Sequence, residues 1–132
     1  MRAVLADTGP LYALADPDDR HHDRAREEVT RLEADGWMIS VGTPVLFEGY
    51  SLVLHRLGIP AAHRWLGETR MGTAEVVVLA EDVDKACSHV RRYTDQALTL
   101  VDAVVHELSK RLDVPVWSFD HHFDLMGTEV WR

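Results

Sequence analysis

Short apolar runs rich in valine and isoleucine recur along the chain at Ala3 to Ala6, Trp37 to Val41, Val76 to Ala80, Val114 to Trp117 and, weakly, Glu129 to Trp131. Each has the length of a strand and a turn or polar flank. Between them the apolar positions switch to helical spacing. In Arg20 to Ala34, Ala25, Val29 and Leu32 recur among charges, and Gly36 follows as a stop. Pro44 to Leu57 carries Val45, Leu46, Phe47, Leu52, Val53 and Leu54, and Ala61 to Met71 follows the break at Gly58-Ile59-Pro60. Asp84 to Tyr93 and Leu100 to Leu112 predict two further helices. Strands alternating with helices predict an α/β fold, a mostly parallel central sheet of about five strands flanked by helices on both faces. In such sheets chemistry gathers beyond the carboxyl ends of the strands.

A length of 132 residues, with no repeat, low-complexity stretch or linker, predicts a single domain over 1–132. The 14 basic and 22 acidic residues leave a net charge of −8, which argues against loose, charge-driven binding to nucleic acid. It leaves room for an enzyme whose acids hold cations that meet phosphates, because a bound metal inverts the local sign. The one cysteine, Cys87, excludes an internal disulfide framework and a cysteine-based zinc site. The start reaches Asp7 and then Gly9-Pro10 before a signal-peptide apolar region could be completed, and no uncharged run has the length of a membrane span. A cytoplasmic protein is the expectation.

Four acids stand where the predicted elements meet. Asp7 follows the first strand directly, and Asp120 follows Val116-Trp117-Ser118-Phe119 in the same relation. Glu48 lies near the start of an otherwise apolar helix, and Asp102 lies in Leu98 to Val105, the most apolar helical entry of the chain. Burying one carboxylate without a partner is costly, and gathering several adds mutual repulsion. Few lysines or arginines lie near these positions in sequence, so a hard divalent cation, Mg²⁺ or Mn²⁺, is the natural compensator. Each acid also has a local reading. Asp7 could cap the helix that begins near Pro10, and Asp102 follows Thr99 at capping-box spacing. Glu48 could favour a helix dipole, and Asp120 could serve a turn. Asp82, ahead of a helix, reads as a cap.

Asp7-Thr8 after the first strand, Thr43 with Glu48, the segment Tyr93 to Ala103 around Asp102, and Ser118-Phe119-Asp120-His121-His122-Phe123 together resemble the PIN-domain ribonucleases. The order and spacing are most similar to the small VapC-type toxins of toxin-antitoxin pairs. That resemblance covers essentially the whole chain and implies a PIN-like three-layer sandwich. It implies an endoribonuclease dependent on Mg²⁺ or Mn²⁺, acting on single-stranded RNA or RNA loops, with a cognate antitoxin and a homodimer as partners. By position Asp7, Glu48 and Asp102 would be the core metal ligands and catalytic acids, with Asp120 the fourth. Thr8 and Ser118 would be hydroxyls that orient water or a carboxylate. Asp95 and Asp124 read equally as supports behind the late ligands or as helix-end acids. Arg56, Arg64, Arg91 and Arg92 are candidate phosphate contacts, against the ordinary reading of solvated surface. His121 and His122 stand where relatives often carry a fixed positive charge, which makes them candidate RNA contacts. His21-His22 reads as solvated surface.

Other chemistries fit less well. A haloacid-dehalogenase-like nucleophile at Asp7 would want an acid at position 9, which is Gly9, and a receiver-like site would want adjacent acids and a late strand-end lysine. The only lysines, Lys85 and Lys110, fall in predicted helices, and no glycine-rich dinucleotide turn follows the first strand. A PIN-fold interaction module without activity is the remaining alternative. Phe47, Tyr50, Leu54, Trp65, Leu66 and Met71 on two helices could form a groove for an antitoxin helix or a second copy, or be ordinary core.

Overall fold

The computed structural model describes residues 2–132. Along them run β1 (Ala3–Ala6), α1 (Thr8–Ala15), α2 (His22–Ala34), β2 (Met38–Gly42), α3 (Thr43–Leu57), α4 (Ile59–Gly72), β3 (Ala74–Val76), α5 (Ala80–Val90), α6 (Leu100–Leu112), β4 (Val116–Trp117) and α7 (His122–Leu125). All strand pairs are parallel, in the order β3-β2-β1-β4. The chain lays β2 and β3 to one side of β1 and then returns to add β4 on the other. Right-handed crossovers before and after that reversal put their helices on opposite faces, which makes three layers. Reversal points of this kind open a crevice at the carboxyl ends of the strands. Here the crevice lies between β1 and β4.

β1 is the centre of the core. Val4, Leu5 and Ala6 have no exposed surface, the continuous apolar run expected of a parallel strand covered on both faces. Burying Val4 and Leu5 contributes about 1.5–3 kcal/mol each, so the residue that follows β1 is carried on one of the firmest parts of the molecule. The strand-to-helix junctions are short. α1 begins one residue after β1, and α3 directly after β2. Pro10, Pro44 and Pro60 sit in first turns, where a missing N–H costs no helical hydrogen bond.

The sheet has four strands where about five were expected from the apolar runs. Glu129 to Trp131 forms only an isolated bridge, Val116 to Val130, because β4 is itself two residues long and offers no ladder to extend. The run Val76 to Ala80 also divides. Only Val76 of it is strand, and Ala80 already opens α5, ahead of the expected start at Asp84. The reason is local: the Leu79 N–H donates to the Asp82 carboxylate at 2.9 Å, which turns the chain into helix early. Asp82 thus serves the helix start, but from the third residue of α5 rather than from ahead of the helix as the sequence suggested.

The apolar residues of α3 and α4 separate into two sets. Trp65 is core, with its indole N–H donating to the Leu11 carbonyl at 3.1 Å, and it lies so close to α3 that a Cβ on Gly49 would meet its ring at 2.6 Å. Phe47, Leu54, Ile59 and Met71 stay exposed.

Candidate active site

Asp7 occupies the N-cap position of α1 with extended backbone angles, yet its side chain makes no capping bond. The carboxylate instead accepts from the Ser118 hydroxyl at 2.8 Å, a contact across the β1–β4 crevice. The backbone pairing that brings the two together is the Asp7 N–H to the Trp117 carbonyl, at 2.9 Å. Asp7 is only 6% exposed. Burial pushes its carboxyl up from 3.8 to about 7; Asp102 and Asp120 nearby push the same way, against Ser118 and the Thr8 N–H. The neighbouring Thr8 hydroxyl is buried and has no hydrogen-bond partner among the described residues.

The Ser118 hydroxyl oxygen also accepts from the Asp120 N–H at 2.9 Å, so one serine orients both strand-end acids. The Asp120 carboxylate accepts from the His122 N–H at 2.9 Å, which folds the chain into α7. Asp102 is buried and reaches the site from the first turn of α6. The capping box at Thr99 holds it there: the Asp102 N–H donates to the Thr99 hydroxyl at 3.1 Å, and the Thr99 N–H donates back to the carboxylate at 3.4 Å. Capping and membership of the acidic site coincide in this residue. His122 Nδ1 lies 3.3 Å from a carboxylate oxygen of Asp102 and 3.3 Å from one of Asp120, bridging the two.

Glu48 approaches from α3 and is exposed. Asp7, Glu48, Asp102 and Asp120 together line one open cleft of about 380 Å³, with Thr8 and His122. Arg56 lines it too, two turns along α3 from Glu48, with its guanidinium 5.1 Å from the Tyr12 ring centroid. The cleft further takes in Tyr12, Asp19, His21 and Phe119. His21 corrects the surface reading of the His21-His22 pair, since its ring packs 4.9 Å from that of Phe119 at the cleft wall. His22 turns away, to the Ala13 carbonyl at 2.6 Å. Arg24 lies over the Phe119 ring at 4.3 Å.

The remaining candidates fall outside. Asp124 pairs with Arg132 at 2.9 Å, Asp95 is exposed and off the cleft wall, and Arg64 and Arg91 are exposed without lining it. Arg92 borders a different cavity. His121 stays beside Asp120, at 3.6 Å, and is largely exposed. His122, by contrast, lines the cleft, with its ring turned toward Asp102 and Asp120 by the turn after Asp120.

Among the described residues no lysine or arginine forms an ion pair with any of the four acids; histidines are their only ionic partners. A buried carboxyl held up near neutrality, further carboxylates at its side and an orphaned hydroxyl at Thr8 form a donor set of oxygens. That set fits a hard divalent cation of the Mg²⁺ or Mn²⁺ type, which takes carboxylates and keeps waters.

No protein-family model and no curated protein matches the sequence. Solved structures match it in shape. VapC20 of Mycobacterium tuberculosis, described as a sarcin-ricin loop cleaving toxin, is 22% identical with a TM-score of 0.84, the match covering 98% of each chain. VapBC2 of Rickettsia felis, solved bound to a promoter DNA fragment, is 10% identical with a TM-score of 0.75, covering 98% of this chain and 97% of that one. FitAcB of Neisseria gonorrhoeae is 14% identical with a TM-score of 0.66, covering 98% and 96%. The shared property is the fold, a PIN-like α/β sandwich over nearly the whole length.

Proposed function

We propose that this protein is an endoribonuclease dependent on Mg²⁺ or Mn²⁺, the toxin of a toxin-antitoxin pair. The observation that carries the reading is Asp7, a carboxyl almost wholly buried at the β1–β4 crevice with acids rather than fixed cations beside it. A fold whose only need was stability would pair or replace such a group. The likeness of fold to VapC20 supports RNA as the substrate, and a likeness of fold to a toxin-antitoxin complex from Klebsiella pneumoniae, 16% identical with a TM-score of 0.63, supports an antitoxin partner.

Asp7, Glu48, Asp102 and Asp120 would hold the ion. When bound, a divalent cation supplies positive charge for a phosphoryl oxygen and lowers the pKa of water at the site. The protein's own residues do the rest. Ser118 fixes the directions of Asp7 and Asp120, and the Thr99 capping box fixes Asp102. Thr8 offers its unpartnered hydroxyl to a water. Asp120, about a third exposed, is open enough to accept the proton of a water attacking the phosphodiester in line. Arg56 gives the rim one positive charge for a phosphate. The rings of His21 and Phe119 at the cleft wall offer stacking for splayed bases, the usual way single-stranded RNA is gripped. The products would be a 5′-phosphate and a 3′-hydroxyl. Phe47, Leu54, Ile59 and Met71 on α3 and α4 supply apolar surface for a second copy or an antitoxin helix.

A calorimetric Mn²⁺ titration of the protein beside its Asp102→Asn variant tests the site in the absence of any RNA. Saturable binding that weakens at least about tenfold in the variant is expected. A sarcin-ricin loop RNA is the first substrate to offer, with and without chelator. No Mn²⁺ binding together with no RNA hydrolysis would overturn the proposal.

A further inference from the structure

An open cleft of about 770 Å³ lies away from the acidic one, between α5 and α6 and the start of the C-terminal segment. His89, His106 and Glu107 line it, and each offers a ligand atom within 4.8 Å of the others. His106 and Glu107 are buried, and the His89 side chain is 11% exposed. The two imidazole rings lie 4.7 Å apart, and His89 Nδ1 is 4.0 Å from a Glu107 oxygen, too long for a hydrogen bond. His89 Nε2 is buried with no partner among the described residues. An orphaned imidazole nitrogen facing no acceptor is costly in a satisfied core, and it calls for a function.

We infer that His89, His106 and Glu107 form a second metal site, selective for a transition ion of the Zn²⁺ class and distinct from the acidic cleft. Two imidazoles and one carboxylate are a donor set that suits Zn²⁺ and is poor for Mg²⁺. His106 already has the outer support such ligands carry. Its Nδ1 lies 2.6 Å from the Thr128 hydroxyl, and with Nδ1–H donating there the Nε2 lone pair is free for a metal. Burial holds both imidazoles below their ordinary value, toward the neutral form that ligates. The cavity leaves space for a water as the fourth ligand. Tetrahedral ligands at about 2.0–2.1 Å from zinc stand roughly 3.3 Å apart, so the present spacing needs a contraction that rotamer changes of His89 and Glu107 can supply.

The charges facing the site set its limits. Lys110 lies 3.9 Å from the other Glu107 oxygen and is well exposed, free to swing into solvent. Lys85 is engaged by Glu81 at 3.1 Å, while Arg92 and Asp84 border the same cavity. An ion here would tie α5 to α6, and through Thr128 to the segment that pairs with β4. Asp102 lies one turn earlier on α6, so the brace would stiffen a helix that also serves the cleft.

Chelator-treated full-length protein is titrated with Zn²⁺ by calorimetry, and with Co²⁺ by visible absorption, beside Asp102→Asn, His89→Gln and His106→Gln. Zn²⁺ binding that survives Asp102→Asn, falls at least about tenfold in His89→Gln and shows tetrahedral Co²⁺ bands lost in that variant is the expected result. His89→Gln is the safer variant, since His106 also holds Thr128, and its metal-free melting temperature should equal the wild type's. Mn²⁺ binding at the acidic cleft should be unchanged in His89→Gln, which separates this site from the proposed nuclease centre. Zn²⁺ binding absent in the wild type, or lost only in Asp102→Asn, overturns the inference.

Discussion

Asp7 and Asp82 both expose little surface, 6% and 3%, though Asp82 lies shallower, beneath a partly exposed Arg111, and the protein treats them in opposite ways. Asp82 receives Arg111 through Nε at 3.0 Å and through a terminal nitrogen at 3.0 Å, besides the Leu79 N–H. Burial works to raise its carboxyl, and Arg111 with that N–H outweighs burial, so it lies below 3.8. Asp7 receives one hydroxyl, faces two other acids and rises to about 7. One acid is finished by the chain itself. The other is left with acids beside it and, among the described residues, no cation, and that difference is what the proposed metal site would use.

The sharpest way to break the comparison is to neutralise each acid in turn and measure RNA hydrolysis with Mn²⁺. Asp7→Asn should lose about 10²–10³ in rate, on the scale of removing one electrostatic group from a transition state, while Asp82→Asn keeps the wild-type rate where it stays folded. Equal losses in both would leave Asp7 no special role. Next in size is the pH dependence of metal-free stability, where the two acids carry opposite signs. Asp7 has its folded value raised, so its contribution is fully present below 3.8 and is lost as pH rises through about 7. The loss is up to about 4 kcal/mol, at about 1.4 kcal/mol per unit. Asp7→Asn should therefore be more stable than wild type in chelator at pH 8 and similar at pH 4, as urea unfolding at both pH values would reveal. Asp82, with its value lowered, contributes above 3.8 and loses that contribution as pH falls through the lowered value.

A smaller effect is expected for Asp82→Asn at pH 7. Removing one partner of a fully buried ion pair costs about 3–5 kcal/mol, and the partial exposure of Arg111 reduces this to about 2 kcal/mol, measurable as a lower urea midpoint. Smallest is Ser118→Ala, which removes the side-chain bond to Asp7 and loosens Asp120. About tenfold weaker Mn²⁺ binding in calorimetry, with the fold intact by circular dichroism, would fit a hydroxyl that aims ligands. Unchanged affinity would reduce Ser118 to a packing role.

Asp7, Asp102 and Asp120 were legible in the sequence because each stands at a boundary that hydrophobic periodicity marks well, whereas Glu48, the sixth residue of α3, stood out only as an acid in an otherwise apolar helix. Asp7 and Asp120 follow apolar strands, and Asp102 sits three residues after the Thr99 cap. α6 appears over the same residues, Leu100–Leu112, that its spacing predicts. What periodicity carries poorly is the approach of one loop to another. Asp19 and His21 reach the cleft wall from the polar stretch between α1 and α2, where no apolar repeat records which way the chain turns. His122 was readable as a charge near the fourth acid, but its inward bridge to Asp102 depends on the turn at Asp120. β3 and the missing fifth strand failed for a related reason. A short apolar run does not say whether a neighbouring strand is long enough to pair with it.

The hydrogen bond from Ser118 to Asp7 joins residues 111 positions apart in the chain. Contacts of that span wait on the largest loop closure and on the arrival of the last strand. Asp7 emerges first during synthesis, and its partner follows 111 residues later. A chain ending at Asp113 should accordingly bind no Mn²⁺ in calorimetry, even with three of its acids present. Under the proposed ribonuclease function, the acidic cleft would stay incomplete in the growing polypeptide until Ser118 and Asp120 had been made.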